Sequence, residues 1–254
     1  MRHLVKPFHW LYLVYAFSLF VVMLIIIFPL VLLASLFGKI RGGNIIYRIC
    51  MHWADAWYFL IGIWHRNSYE SPHDKKRQYI FVANHISYLD GPELVKTLRQ
   101  PMRALGKIEM EKIPLFGFIY SYAVVKVDRS DAEHRAKSIR NLKSVLNKGI
   151  SIIIFPEGTF NMTDQPLLPF YDGAFRIAIE TQTPIKPILF LDAYDRMHYR
   201  SVFSLNPGRS RSVFLPEIPV EGLTIEDIGA LKEKVRGVME EKLRSVGASW
   251  IGKA

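Results

Sequence analysis

Cysteine is almost absent: Cys50 is the only one in 254 residues. No intrachain disulfide is possible, and the bulk of the chain is expected in a reducing compartment. A lone thiol of this kind reads as a small buried apolar residue. Also missing are a Gly-x-Ser-x-Gly elbow, a His-Glu-x-x-His pair and a Gly-x4-Gly-Lys loop. Their absence removes the usual sequence grounds for a serine hydrolase, a zinc protease or a P-loop enzyme. There is no finger, basic zipper or base-stacking motif, so a nucleic-acid partner is not expected, and nothing implies a metal. Acids are scarce: 23 Asp and Glu stand against 33 Lys and Arg, a formal charge of +10. That balance favours anionic partners such as a membrane surface, nucleic acid or phosphorylated substrates, and does not choose among them.

Charge vanishes altogether between Trp10 and Gly38. The apolar run Leu11 to Phe37 is about 40 Å long as a helix, against a hydrocarbon core of about 30 Å. A membrane anchor is therefore expected. A cleaved signal peptide is not, because the run is too long and Leu33-Ala34-Ser35-Leu36 is a poor cleavage site. Pro29 can kink the helix, and basic residues flank both ends (Arg2 and Lys6, Lys39 and Arg41). The positive-inside rule thus leaves full crossing and a hairpin both open. A second apolar stretch, Ile45 to Trp64, carries Arg48, His52 and Asp55 at helical spacing. Its rings, Trp53, Trp57, Tyr58 and Trp64, suggest a helix at headgroup depth; the alternative is a core helix of the soluble part. Residues 1–66 are accordingly read as the anchor and 67–254 as the domain it carries, joined through a polar linker, Asn67 to Arg77.

The remainder shows neither repeats nor low complexity. Strand-like runs at Gln78–Ala83, Ala123–Val127, Ser151–Phe155, Ile185–Leu191 and Arg211–Leu215 alternate with helical patterns. The helical patterns fall at Pro92–Leu98, Asp131–Asn147, Gly173–Glu180 and Ile225–Val246. Alternation of this kind argues for an α/β domain. Ser130 with Glu133 forms a capping-box signal ahead of the second of these helices. Arg196 to Arg211 holds four arginines and no acid, which reads either as a surface facing anionic lipid or an anionic carrier, or as a solvated loop.

The chemistry-bearing segment is Ala83-Asn84-His85-Ile86-Ser87-Tyr88-Leu89-Asp90, followed at once by Gly91-Pro92. On a straight helix, residues five apart point about 140° away from each other. Pro92, however, favours a helix start just here, so His85 and Asp90 are expected on a turn that folds the carboxylate back against the imidazole. A carboxylate on one ring nitrogen fixes the tautomer and leaves the other nitrogen to take a proton from a hydroxyl.

Asn84-His85, four residues and Asp90 resemble the first motif of the glycerolipid acyltransferases, the family of 1-acyl-sn-glycerol-3-phosphate acyltransferases. Phe155-Pro156-Glu157-Gly158-Thr159 resembles that family's third motif. Gly106-Lys107 with Pro114, Gly117 and Val127-Asp128-Arg129 resemble the second, and Thr183-Pro184-Ile185-Lys186-Pro187 the fourth, an apolar stretch near the acyl group. The resemblance implies a central mixed sheet flanked by helices. It implies transfer of a fatty acyl group from acyl-CoA or acyl carrier protein, as co-substrate and with no cofactor, to the sn-2 hydroxyl of lysophosphatidic acid. His85 would be the base and Asp90 its partner; Lys107 and Arg129 would hold the acceptor's phosphate. Glu157, Gly158 and Thr159 would place the glycerol backbone, the carboxylate accepting from its hydroxyl. Localisation would be the membrane, the catalytic domain facing the cytoplasm. Many members carry arginine after the threonine of the third motif, where Phe160 stands here. That departure keeps glycerol 3-phosphate and lyso-aminolipids open as acceptors. From another class, a non-catalytic membrane-surface binding protein would account for the charge and the anchor, but has no need of His85, Asp90 and Glu157 together.

Overall fold

The computed structural model describes residues 2–127 and 132–252. In chain order its elements begin with helix α1 (Arg2–Ser35), a single π-helical turn (Gly38–Gly42), helix α2 (Gly43–Leu60) and strand β1 (Ile63–Tyr69). Strand β2 (Ile80–Ala83), helix α3 (Asp90–Thr97) and strand β3 (Met102–Lys107) follow, then helix α4 (Phe116–Ala123) and strand β4 (Val124–Val127). The second half comprises α5 (Ala132–Leu146), β5 (Ser151–Ile154), α6 (Gly173–Thr181), β6 (Ile185–Phe190), α7 (Ala193–Arg196), β7 (Gly208–Phe214) and α8 (Ile228–Ser245). The seven strands form one sheet in the order β1-β7-β6-β2-β5-β3-β4. All neighbours are parallel except β6 and β7. This is the expected mixed sheet flanked by helices.

The central strands are wholly buried. Ile80-Phe81-Val82-Ala83 and Ser151-Ile152-Ile153-Ile154 have no exposed face, as an apolar, β-branched run with helices on both sides requires. Because β2, β5, β3 and β6 are mutually parallel, their carboxyl ends share one edge of the sheet. In open α/β sheets that edge is where ligands bind.

Four segments differ from the sequence reading. The linker expected at Asn67–Arg77 begins inside β1, which pairs with β7 from Ile63↔Gly208 to Tyr69↔Phe214 and so runs across the 66/67 boundary. A polar strand at a sheet edge has little hydrophobic alternation to announce it. β3 was also without a sequence signal, since Met102-Arg103-Ala104-Leu105-Gly106-Lys107 has no β-branched residue. In α2, Trp53, Trp57 and Tyr58 are buried; Trp53 and Trp57 stack at 5.7 Å and both meet Phe20 of α1. These rings cement α2 to α1 rather than facing headgroups, and only Trp64 of the four is exposed. Finally, Arg211 holds Asp192 through two bonds of 2.9 and 2.8 Å, Arg209 lies 3.9 Å from the same carboxylate, and Arg196 bonds the Pro207 carbonyl. Three of the four arginines between 196 and 211 are therefore engaged in structure.

Within α1, Pro7–Ser35 is long and apolar enough to cross a membrane. One stripe (Leu13, Ala16, Leu24, Val31, Ala34) is buried, while the opposite face exposes Leu11, Val14, Val22, Ile25, Ile26, Leu30 and Leu33. Near its start, His9 Nε2 lies 2.9 Å from the Phe203 carbonyl. Just past its end, Lys39 donates to the Ser121 carbonyl at 3.0 Å. Along roughly 50 Å of helix, α1 is thus fastened to the domain at both ends. Cys50 is buried, as expected.

Candidate active site

The strand order places the first and third motifs side by side. Val82 pairs with Ile154, so the chain leaving β2 at Ala83 and the chain leaving β5 at Phe155 emerge as neighbours. Asn84 then prolongs the β2–β6 ladder by imitating a peptide: its amide nitrogen donates to the Phe190 carbonyl at 3.1 Å and its oxygen accepts the Phe190 amide at 2.8 Å.

The turn expected between His85 and Asp90 is present. Asp90 is the first residue of α3, and Pro92 falls in that helix's first turn, where a missing N–H costs nothing. His85 donates Nδ1–H to Asp90 Oδ2 at 2.8 Å; the Ile86 and Ser87 amides donate to the same oxygen at 2.7 and 2.9 Å. Asp90 is wholly buried and the His85 side chain is 25% exposed. With Nδ1 committed, Nε2 is the nitrogen available to a substrate, and no hydrogen bond engages it among the described residues. Phe155 stacks on the imidazole with centroids 4.3 Å apart, and Phe160 meets it at 4.4 Å. Tyr88 in turn meets Phe160 at 5.0 Å.

The third motif grips His85 by its backbone. Glu157 Oε1 accepts the His85 amide at 2.8 Å, and the Asn161 amide donates to the His85 carbonyl at 2.7 Å. Glu157 Oε2 accepts the Leu168 amide at 2.8 Å. Each Glu157 oxygen thus accepts a backbone amide, and the residue is 2% exposed, a geometry that favours positioning the loops over holding the acceptor's hydroxyl. Glu157 braces two loops. Burial pushes its carboxyl up to about 7, against the opposing pull of the two amides. Gly158 closes the turn, its amide donating to the Phe155 carbonyl at 3.0 Å, with φ at +72°, a conformation that favours glycine. Thr159 follows on the surface.

Lys107 ends β3 on the same edge, exposed and with no ion pair among the described residues. One strand, β5, separates β3 from β2, and the two inter-strand spacings amount to roughly 10 Å. Arg129 and Ser130 lie outside the described residues. The fourth motif starts elsewhere. Ile185 pairs with Ile80 at the start of β2, so Thr183–Ile185 lies at the opposite edge of the sheet, and Lys186 and Pro187 run from there into β6. There the Lys186 ammonium donates to Ser71 Oγ at 2.9 Å.

Beside the dyad an apolar cavity of about 420 Å³ opens between α1, α2, α3, β3 and α4, lined by Phe20, Leu24, Trp53, Trp57, Val95, Met102, Tyr120 and, at the dyad, Phe155 and Tyr88. A Cβ on Gly106 would run into the Tyr120 hydroxyl, which donates to the Lys107 carbonyl at 2.8 Å; glycine lets that ring form the cavity wall. Across Phe155, a second hollow of about 600 Å³ is lined by Gly158, Tyr171, Gly173 and Arg176. Sequence reading missed both hollows, because their walls combine elements far apart in the chain.

A family model described as Acyltransferase matches residues 65–191, which include the dyad and its brace. The 1-acyl-sn-glycerol-3-phosphate acyltransferase alpha of Mus musculus is 29% identical over 176 residues, covering 68% of this chain and 61% of that protein. An uncharacterized acyltransferase of Schizosaccharomyces pombe is 31% identical over 175 residues, covering 66% of this chain and 61% of the relative. The chain thus spans about six tenths of the length of these curated relatives. The crystal structure of the LPA acyltransferase PlsC from Thermotoga maritima superposes with a TM-score of 0.77 at 22% identity, over 96% of this chain and 98% of that one, and shows the same fold. With half of its length matched by the family model, and the matched half carrying the His85–Asp90 pair, the chain belongs to the acyltransferase family.

Proposed function

We propose that the protein transfers a fatty acyl group from a thioester, on coenzyme A or acyl carrier protein, to the sn-2 hydroxyl of lysophosphatidic acid. One observation carries the reading: a histidine with its Nδ1 committed to a buried aspartate and its Nε2 available stacks on Phe155, which lines an apolar cavity. The cavity suits an alkyl chain, and the histidine suits proton abstraction. His85 Nε2 takes the acceptor's hydroxyl proton while the hydroxyl oxygen forms a bond to the thioester carbon. When the C–S bond breaks, the thiolate leaves and the imidazolium returns the proton to sulfur. Asp90 stabilises the imidazolium between the two steps, and no covalent enzyme intermediate is needed. Lys107 and Arg129 supply positive charge for the acceptor's phosphate. The exposed apolar face of α1 supports contact with lipid while its buried stripe holds the domain; that the catalytic domain faces the cytoplasm is what the family resemblance implies.

The test is an acceptor panel with purified protein in lipid or detergent, offering lysophosphatidic acid, glycerol 3-phosphate and lyso-aminolipids with both thioester donors. Lysophosphatidic acid is expected to be the best acceptor. No thioester-dependent acylation of any acceptor would overturn the reading in favour of a membrane-surface binding protein. Phe160 supports a second reading, glycerol 3-phosphate or a lyso-aminolipid as acceptor: it puts an apolar ring against His85 where the family resemblance leads one to expect an arginine.

A further inference from the structure

Asp90 is lopsided. Its Oδ2 accepts three hydrogen bonds, while its buried Oδ1 has no partner among the described residues. One turn further along α3 stands a second wholly buried acid, Glu93. Residues three apart on a helix are neighbours, about 5–6 Å between Cβ atoms. Glu93 Oε1 accepts from Ser212 Oγ at 3.2 Å, and its Oε2 is likewise without a partner. A third orphan, the buried Tyr58 hydroxyl on α2, lies within electrostatic reach of both carboxylates.

Two adjoining buried carboxylates do not both ionise. Asp90 has His85 and two amides to compensate its charge; Glu93 has only the hydroxyls of Ser212 and Ser210 on β7. Burial, and next the charge of Asp90, push the Glu93 carboxyl well above the usual range. The other groups facing it supply no cation. His65 on β1, reached through Thr97 and Ser212, is held neutral by burial, its pKa pushed down to about 4. Asp192, after β6, is paired with Arg211. Since Oε1 is accepting, the proton of a neutral Glu93 sits on Oε2. A buried donor without an acceptor therefore stands one turn from a buried acceptor without a donor.

We propose that Glu93 is a positioning residue of the dyad, its Oε2–H directed at Asp90 Oδ1, with the Tyr58 hydroxyl as the third member of the cluster. A donor on Oδ1 stops the carboxylate from rotating away from His85 and tempers its basicity. His85 then sheds its proton at a lower pH and is free to act as a base. This inference rests on the proposed roles of His85 and Asp90.

The test uses the full chain in detergent, with ring-labelled histidine followed by NMR and assigned through a His85→Gln variant, alongside the pH profile of kcat/KM. Glu93→Met removes the donor at similar length. It should raise the His85 midpoint by about one pH unit, a tenfold change in proton affinity, and carry the acid limb of kcat/KM with it. Glu93→Gln, neutral and still a donor, should return the midpoint to its wild-type value. An unmoved midpoint in a folded Glu93→Met protein overturns the proposal. So does a lowered midpoint in Glu93→Gln, which would mean that a negative charge had been removed. If Glu93→Met does not fold, infrared spectra decide: the wild type should show a protonated-carboxyl stretch that Glu93→Gln lacks, and its absence from the wild type overturns the proposal. Failure of the base assignment has a separate signature, turnover retained in His85→Ala, because the midpoint is read without catalysis.

Discussion

The carboxylate of Glu157 accepts the backbone amide of His85 at 2.8 Å across 72 residues of chain. The third motif therefore sets where the imidazole of the first one stands. The two loops leave adjacent parallel strands and have no regular ladder to hold them together beyond Val82↔Ile154. The carboxylate supplies the missing bonds, one oxygen to each of two amides.

Replacing Glu157 by Gln should be costly despite its similar shape. An amide offers one accepting oxygen, so either the His85 or the Leu168 N–H is left buried and unpaired, at about 1–3 kcal/mol. Turnover should fall while the acceptor KM changes little, because the residue does not reach the substrate. A variant with normal kcat and a raised acceptor KM would return Glu157 to the acceptor-binding role expected from the sequence.

The same residue has a pH signature. Its folded pKa of about 7 lies above the ordinary 4.5, so the folded state holds the proton more tightly than the unfolded one. The corresponding stability is fully present below about pH 4.5 and is lost as pH rises through about 7, in total roughly 3 kcal/mol. Glu157→Gln cannot titrate. Thermal unfolding midpoints in detergent should therefore show the wild type's advantage over the variant shrinking from pH 4.5 to 7 and level thereafter. An advantage that grew over this range would mean that the amides, not burial, govern the carboxyl.

His85→Ala should lower turnover by about 10²–10⁴ and leave the protein folded and membrane-bound. Asp90→Asn should also be severe, since a neutral amide cannot stabilise the imidazolium. Near-normal turnover of either variant at saturating substrates would make the dyad structural.

Much of this site was legible in the sequence, and the reason is local. The turn between His85 and Asp90 is encoded within eight consecutive residues by a proline and a buried strand, and Ser151–Ile154 is apolar throughout. What escaped was whatever depends on partners distant in the chain. Glu157 looked like a ligand because nothing in Pro-Glu-Gly announces two backbone amides awaiting it. Trp53 and Trp57 looked interfacial because a ring packed against α1 and a ring packed against headgroups have the same sequence pattern. Thr183–Pro187 looked like acyl-site lining, but the parallel pairing of β6 with β2 starts the segment at the far edge.

The apolar cavity predicts a dependence on chain length. Val95, on its wall, is replaceable in both directions. Val95→Phe should shift the preferred acyl thioester toward shorter chains, and Val95→Ala should leave or lengthen the preference. Rates across a donor series check this. A preference that moves the same way in both variants would mean that the acyl chain lies elsewhere.

Phosphate binding is separable from chemistry. Lys107 stands exposed at the end of β3, roughly 10 Å from β2 by strand spacing, too far to touch the reacting hydroxyl but within the span of a glycerol phosphate. A phosphate carries its charge in both the ground and transition states, so a cation that holds it contributes uniform binding. Its loss raises KM more than it lowers kcat. Lys107→Ala is therefore expected to raise the acceptor KM several-fold with a smaller fall in kcat, some of it from a less well placed hydroxyl. Arg129→Ala should behave alike. The thioester donor serves as control, and its KM should stay near the wild-type value. Should either substitution impair the donor KM and spare the acceptor's, that cation would belong to the carrier's phosphates, and the acceptor's head group would have to be held by other residues.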